Sequence, residues 1–570
     1  MIFIRSVRIR ERSMTLVSTE RKMIDGELFV KMVLGGAKNL QDNLQEVNDL
    51  NVFPIPDGDT GENMYLTLQG GLERLKSEQS PLLCDKACAM AQGMLLGARG
   101  NSGVILSQLF YGLSEGLLGL ETADVRQLGS ALKQGVKCAY GAVAHPVEGT
   151  ILTVAREAVE NACAKFGHDV GVEEFFSGYL SEMQASLEKT PNLLAVLKEA
   201  GVIDSGGAGL VYITEGFCKA LGGEETEHEL ALSSVHSAKT LDLSKFNENS
   251  VMEFGYCTEL LLQLQHCKTD VEHFSVEELI AFLESVGDSI VAFRTGTVIK
   301  IHVHTMEPWK VLQHCQQFGE FLTVKIENMT LQHNETTERK TTFKKVKRAR
   351  RKYATVVVAS GEGLIATFKE MGADYVIAGG QTNNPSAENF LTAFDEVNAD
   401  HVFVLPNNGN VVMAAKQAAN IYEDSQIHVI ESKNVGQGYS ALSMLDYGSD
   451  DPETIEEILT ESMQDTITGM VARSVRDTEL NGVEVKKDCY MGFTDHTIYV
   501  CEKSKIEAVC TLTEKLGMKE KEFLIAVYGK TVTDEEKAQF NAYMGTTYPS
   551  VEVYEIEGGQ DVYDFLLIIE

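Results

Sequence analysis

Two aspartates set two residues apart carry the chemistry this sequence could perform. They lie in Asn51-Val-Phe-Pro-Ile-Pro-Asp57-Gly-Asp59-Thr60-Gly-Glu62-Asn63-Met64, a proline-stiffened turn running into an apolar pattern of helical spacing. Paired carboxylates on a glycine turn can hold hard cations such as Mg²⁺. The helix start behind them can hold a phosphate, because its first N–H groups lack partners and sit at the positive end of the helix dipole. The stretch reads as a magnesium–nucleotide site. A plainer reading stays open: Asp59 as an N-cap with Glu62 as its capping-box partner, and Pro56-Asp57-Gly58 as an ordinary turn.

Three further polar turns run into apolar helical patterns. They are Gly97-Ala-Arg-Gly-Asn-Ser-Gly103 before Val104, His145-Pro-Val-Glu-Gly-Thr150 before Ile151, and Asp204-Ser-Gly-Gly-Ala-Gly209 before Leu210. The glycine spacing of the first matches neither the P-loop nor the dinucleotide fingerprint, and it follows a helix where a Rossmann turn follows a strand. One such turn means little. Several in one helical region, with two carboxylates on the first, suggest turns converging on a polyphosphate and its metals.

The elements that must position these turns fall into distinct textures. Residues 25–222 carry apolar stripes at helical spacing almost throughout, which predicts an all-α domain of about eight helices. Residues 223–250 form a polar linker. Residues 251–334 read as βαββαβ, the split βαβ order, with strands at Met252–Leu264, Ser289–Phe293, Thr297–His304 and Phe321–Glu327. Within it, Ile301-His302-Val303-His304 puts two imidazoles two residues apart on a strand, where side chains repeat with period two. With Cys257 on a neighbouring strand they form a zinc-like set; Cys267 and Cys315 are weaker candidates. Two solvent-facing histidines on a half-buried sheet are the alternative. Residues 335–352 are a basic run, either a solvated linker or a docking strip for an acidic partner or a membrane surface. Residues 353–570 read as α/β. Their loops 379–386 and 406–410 follow strands, where open α/β sheets place ligands, or are plain strand-to-helix turns. A second α/β portion is expected from near Cys489.

Bulk properties narrow the function classes. A chain of 570 residues implies about three or four domains. The formal net charge of −33 argues against general nucleic-acid binding, which wants a basic face. Eleven cysteines without a paired framework read as reduced thiols of a cytosolic protein. No apolar run reaches the ~18 residues of a membrane span. Residues 1–24 are basic and read as a disordered leader; Glu11 and Glu20 weaken a mitochondrial presequence.

Taken together, the Asn51–Met64 stretch, Gly97-Ala-Arg-Gly-Asn-Ser-Gly-Val-Ile-Leu-Ser-Gln108 and Asp204-Ser-Gly-Gly-Ala-Gly209 resemble the nucleotide-binding, DhaL-type domain of dihydroxyacetone kinases. The version matched is that of the catalytic component of bacterial fatty acid kinase, the FakA/YloV family. Ile301-His-Val-His-Thr305 and Gly379-Gly-Gln-Thr-Asn-Asn-Pro-Ser386 are similar to that family's middle and C-terminal domains. The resemblance implies an eight-helix barrel that binds ATP with magnesium. It implies phosphorylation of a fatty acid carried by a separate DegV-type lipid-binding protein, giving an acyl phosphate. It implies that Asp57 and Asp59 hold the metal ions. Thr60, Asn63, Asn101, Ser102, Gly103, Thr150, Asp204 and Gly206 would surround the nucleotide. Cys257, His302 and His304 match middle-domain positions that could take zinc. The two later domains would recognise the lipid carrier and allow dimerisation. One departure is plain. Dihydroxyacetone kinases carry a third aspartate before the Asp-Gly-Asp pair, and here Val52-Phe-Pro-Ile55 fills that stretch. Asn51, Asp49 or water would have to take its place.

Overall fold

The computed structural model describes residues 21–51, 59–166, 170–223, 256–328 without 272, 273 and 296, and 350–569 without 382, 449, 450 and 496. Asp57, most of the leader and of the 223–250 linker, and the basic run up to residue 349 lie outside the described residues. The chain divides into two compact units, residues 230–347 and the rest.

The larger unit begins, among the described residues, with eleven helices between Gly26 and Leu221, three of them of six residues or fewer. Their ends follow local chemistry. Asp25 caps the first helix by accepting from the Leu28 N–H at 2.8 Å, and Asp124 with Gln127 forms a reciprocal capping box for Val125–Ala142. The helices Gly26–Asp42 and Ser205–Leu221 meet backbone to backbone at Gly35 and Gly216. A Cβ built on Gly216 would lie 2.3 Å from the Gly35 carbonyl oxygen, so only glycine allows this approach. The core between the helices is continuous, from Phe29 and Met32 to Phe175 and Ile213.

The C-terminal part of the same unit holds two main sheets. One is parallel, in the order Gln426–Val429, Ala399–Leu405, Arg351–Ala359, Tyr375–Ala378. Its central strands are runs of Val, Ala, Phe and Leu buried on both faces, as parallel strands covered by helices require. The other has six strands and is mostly antiparallel, with Ile467–Arg473 and Phe565–Ile569 at its centre. The second sheet thus starts before the residue-489 boundary expected from sequence. Gly469 breaks the strand pattern of Ile467–Arg473, and the strand is fixed by its two antiparallel neighbours, Tyr490–Thr494 and Phe565–Ile569.

The helical region and the parallel-sheet region share a core. Ala98 and Val104 are buried in one apolar cluster with Val356, Phe390, Val404 and Ala415. The helix Ala387–Val397 packs on Leu83–Gly97, and Val412–Ile421 packs on Gly100–Gly116. Gln417 stitches the second contact, accepting from Gln108 Nε2 at 3.1 Å and donating to the Leu95 carbonyl.

The smaller unit runs strand Tyr256–Leu264, helix Val276–Val286, strands Asp288–Thr295 and Val298–Thr305, helix Pro308–Cys315 and strand Gly319–Asn328. Its sheet order places Tyr256–Leu264 between Val298–Thr305 and Gly319–Asn328, all antiparallel. The register sets Cys257 opposite His304 and Glu259 opposite His302. Among the described residues no group of three or more His, Cys, Asp or Glu is arranged for a metal, and the side chains of the expected zinc set, Cys257, His302 and His304, lie outside them. No described helix is long and apolar enough to cross a membrane.

Candidate active site

Four helices start within reach of one another in the helical region: Thr60–Ser77, Gly100–Gly116, Ile151–Lys165 and Ser205–Leu221. Their first residues interlock. Ser205 Oγ donates to Thr60 Oγ1 at 3.4 Å, and Thr60 Oγ1 donates to Asn51 Oδ1 at 2.7 Å. A Cβ on Gly206 would lie 3.4 Å from Ser102 Oγ and 3.3 Å from Ile151 Cβ. Gly100, at φ +58°, lies against the Asn63 amide, where a Cβ would come within 2.5 Å of Nδ2. Each start brings the positive end of a helix dipole to a common place, with the Gly61 N–H donating to Asn48 Oδ1 and the Gly207 N–H to Asp204. The glycines allow backbone that close.

The helix Gly100–Gly116 begins earlier than the glycine-rich turn suggests, so only Ala98 and Arg99 separate it from the preceding helix. Asn101, Ser102 and Gly103 therefore occupy its first turn. Gly103 lies over Thr67, whose Oγ1 would be 2.4 Å from an added Cβ. Thr150 is the residue before Ile151–Lys165, but its hydroxyl donates to the Val147 carbonyl at 2.8 Å and caps nothing.

Asp204 and Asp59 both precede a helix and are both buried. Asp204 is a structural cap: its Oδ2 accepts from the Gly207 N–H at 2.6 Å, and it also accepts from the Ile151 N–H. One carboxylate thereby ties two helix starts together. Burial lifts it to about 6, against the pull of those two N–H groups. Asp59 makes no side-chain cap, so the capping-box reading with Glu62 fails. Its Oδ2 instead accepts from Asn384 Nδ2 at 2.6 Å, a residue 325 positions away in the C-terminal sheet region. Burial raises it to about 7, Asn63 opposes the rise by hydrogen bonding, and the Glu62 charge adds to it.

Asn384 carries no sequence signal of its own beyond its place in the candidate binding loop 379–386. It is 2% exposed, and its carbonyl accepts from Arg99 Nη1 at 2.9 Å. Ala387 N donates to the Ala98 carbonyl at 3.3 Å beside it. The C-terminal loop thus closes over the turn between two site helices. Arg476, just past the strand Ile467–Arg473, donates to the Asp49 carbonyl at 2.9 Å and to the Asn51 carbonyl. It holds the residues just before the Asp57 turn from the other side.

The candidates for the missing third carboxylate are otherwise engaged. The Asn51 side chain accepts from Thr60. Asp49 Oδ1 accepts from Gln45 Nε2 on an exposed helix face. Two members of the basic run that are described pair within the C-terminal region, Arg350 with Asp400 and Arg351 with Asp374.

Comparison with known proteins matches three stretches of the chain to protein families. Residues 54–219 match the DAK2 domain family, residues 253–336 the FakA-like middle domain of fatty acid kinase, and residues 354–570 the FakA-like C-terminal domain of fatty acid kinase. These matches define the class, a multidomain protein with a helical DAK2 region and a C-terminal α/β region. Protein YloV of Bacillus subtilis is 38% identical over 556 residues, covering 96% of this chain and 100% of that protein. The chain belongs to the FakA/YloV family of fatty acid kinase proteins. Two solved structures are more distant. The fatty acid binding protein DegV from B. subtilis covers 39% of this chain and all of itself, at 14% identity and TM-score 0.30. Dihydroxyacetone kinase from C. freundii, solved with AMP-PNP and Mg²⁺, covers 38% of both chains at 20% identity and TM-score 0.28.

Proposed function

We propose that this protein is an ATP- and Mg-dependent kinase that phosphorylates the carboxylate of a fatty acid presented by a separate DegV-type lipid-binding protein, giving an acyl phosphate. The observation that carries the reading is Asp59, a buried carboxylate at a helix start that caps nothing and lies among four converging helix N-termini. Membership of the FakA/YloV family supports the substrate class.

In this reading residues 25–222 are the kinase domain, with its main helices arranged as the barrel that the family resemblance implies. Asp57 and Asp59 would hold magnesium, and the oxygen-only donor set suits that ion. When bound, magnesium supplies neutralisation of phosphate charge. The helix starts at Thr60, Asn101–Gly103 and Gly206 would receive phosphate oxygens through N–H groups and hydroxyls. Asn63 and Asp204 keep two of those starts in register. Phosphoryl transfer asks mainly for positioning and charge balance. A fatty acid carboxylate is already ionised at neutral pH, so no residue need take its proton.

The residues 251–334 and 353–570 would recognise the carrier in a cytoplasmic complex. The test is ATP consumption by the purified chain with and without a fatty-acid-loaded carrier, with acyl phosphate trapped as its hydroxamate. Absence of carrier-dependent turnover would sink the proposal. Turnover on dihydroxyacetone alone would replace it with a small-alcohol kinase.

A further inference from the structure

Three polar side chains of the candidate nucleotide site are bonded to the C-terminal region. Asp59 Oδ2 accepts from Asn384 Nδ2 at 2.6 Å. Arg99 Nη1, in the turn between two site helices, donates to the Asn384 carbonyl at 2.9 Å. Asn101 Nδ2, in the first turn of Gly100–Gly116, donates to Asn410 Oδ1 at 3.3 Å. A carboxylate that would meet magnesium and two donors beside a helix start that would receive phosphate thus already have protein partners.

The partner at Asp59 is of the wrong kind for a metal site at work. Magnesium keeps several waters and binds through one or two carboxylates plus substrate phosphates, so it needs lone pairs and open space around them. Asn384 is buried against the carboxylate and offers it an N–H. The amide is held that way round, because its Oδ1 accepts from Asn408 Nδ2 at 3.4 Å.

The contact is also one that can come apart. Among the described residues, the helical region contributes two buried side chains, Ala98 and Val104, to the shared apolar cluster. Much of the remainder is amide hydrogen bonding, as where Gln417 meets Leu95 and Gln108. Asn101 Oδ1 is left buried without a partner among the described residues, a cost that separation removes. Small, polar contacts between parts of one chain permit relative motion.

We propose that the C-terminal region, docked as it is here, is an autoinhibitory cover: it competes with Mg·ATP for Asp59, Arg99 and Asn101, and nucleotide binds when Asn384 and Asn410 withdraw. This inference rests on the kinase reading of Asp59. Only the open fraction binds, so a cover closed about nine times in ten lowers apparent affinity about tenfold. Arg476 is a separate contact: it bonds the Asp49 and Asn51 carbonyls and so acts on the placement of the turn.

The test is calorimetry of Mg·AMP-PNP binding to the full chain and two variants. Asn384→Ala removes the amide from Asp59. Gln417→Ala loosens the docked helix Val412–Ile421 through bonds that run to Leu95, Ser107 and Gln108. Each variant should bind Mg·AMP-PNP at least threefold tighter. Unchanged or weaker binding in either would overturn the cover; weaker binding in Asn384→Ala would mark Asn384 as a residue that orients a metal-holding carboxylate. Hydrogen exchange on the unmutated chain reads the same event without a substitution. Saturating Mg·AMP-PNP should slow exchange at 59–63 and 100–103 and speed it at least threefold at 383–390 and 408–417. Slowed or unchanged exchange in the C-terminal segments would show that the docked form is the nucleotide-bound one, and would overturn the proposal. Failure of the kinase reading looks different: the competition holds, but no acyl phosphate forms with the loaded carrier.

Discussion

Asp204 and Asp59 stand at the same position, one residue before a helix, and both are buried, yet their carboxylates are used differently. Asp204 accepts two backbone N–H groups and ties the Ile151 and Ser205 helix starts together. Asp59 caps no N–H and is met by an amide from the C-terminal region. The first is a structural cap, whose bonds offset part of the cost of burial. The second keeps an ionisable group in a buried place with its capping role unfilled. Such groups collect where chemistry is done. The difference teaches that position relative to a helix does not assign the role of an aspartate; the partners of its oxygens do.

The comparison breaks most sharply in kinetics. Asp59→Asn should lower kcat by about 10³-fold, the scale of losing one strong charge interaction of roughly 4 kcal/mol in the transition state. It should leave the melting temperature unchanged or raised, because it removes a buried ionisable group. A variant that keeps its activity would return Asp59 to the class of ordinary turn residues.

Asp204→Ala should act mainly on stability. Losing a cap costs about 1–2 kcal/mol, here with two N–H groups orphaned, and calorimetric melting should fall by several degrees. A loss of turnover equal to that of Asp59→Asn, in protein that stays folded, would contradict the contrast.

The two carboxyls also set a pH signature. Both are raised in the folded chain, Asp59 to about 7 and Asp204 to about 6, against about 3.9 when unfolded. Between about pH 4 and 7 the folded state therefore holds protons that the unfolded state has released. Their contribution to stability is greatest below pH 4 and declines as pH rises through that window. In the proposed function magnesium would need the ionised form of Asp59, so Mg·ATP affinity should rise up to about tenfold per pH unit below 7 and level off above. A flat profile between pH 6 and 8 would show that the proton on Asp59 does not compete.

Arg476→Ala should have the smallest effect. Removing its two bonds to the Asp49 and Asn51 carbonyls should lower kcat/KM about three- to tenfold, on the scale of a charged hydrogen bond partly exposed to water. Steady-state kinetics on Mg·ATP would measure it.

Much was legible from the chain alone. The helical region, the βαββαβ order and the first three strands of the parallel sheet follow from apolar periodicity, which is local and survives in the sequence. The turns at Asp59, Gly100 and Asp204 were found because glycine and aspartate before an apolar run mark helix starts. Family motifs added the ATP and magnesium expectation. The strand Ile467–Arg473 did not declare itself, since Gly469 breaks its pattern and only its partners Tyr490–Thr494 and Phe565–Ile569 hold it in the sheet.

The sequence by itself determined which aspartates lie at helix starts, because capping and glycine chemistry act within a few residues. Only the tertiary structure decided which of them is a cap and which is met by a side chain of the C-terminal region. That choice depends on Asn384, on Arg99 bonding its carbonyl, and on Ala98 and Val104 buried in the C-terminal core. These contacts join residues hundreds of positions apart, and a hydrogen bond to one carboxylate oxygen leaves no periodicity along the chain.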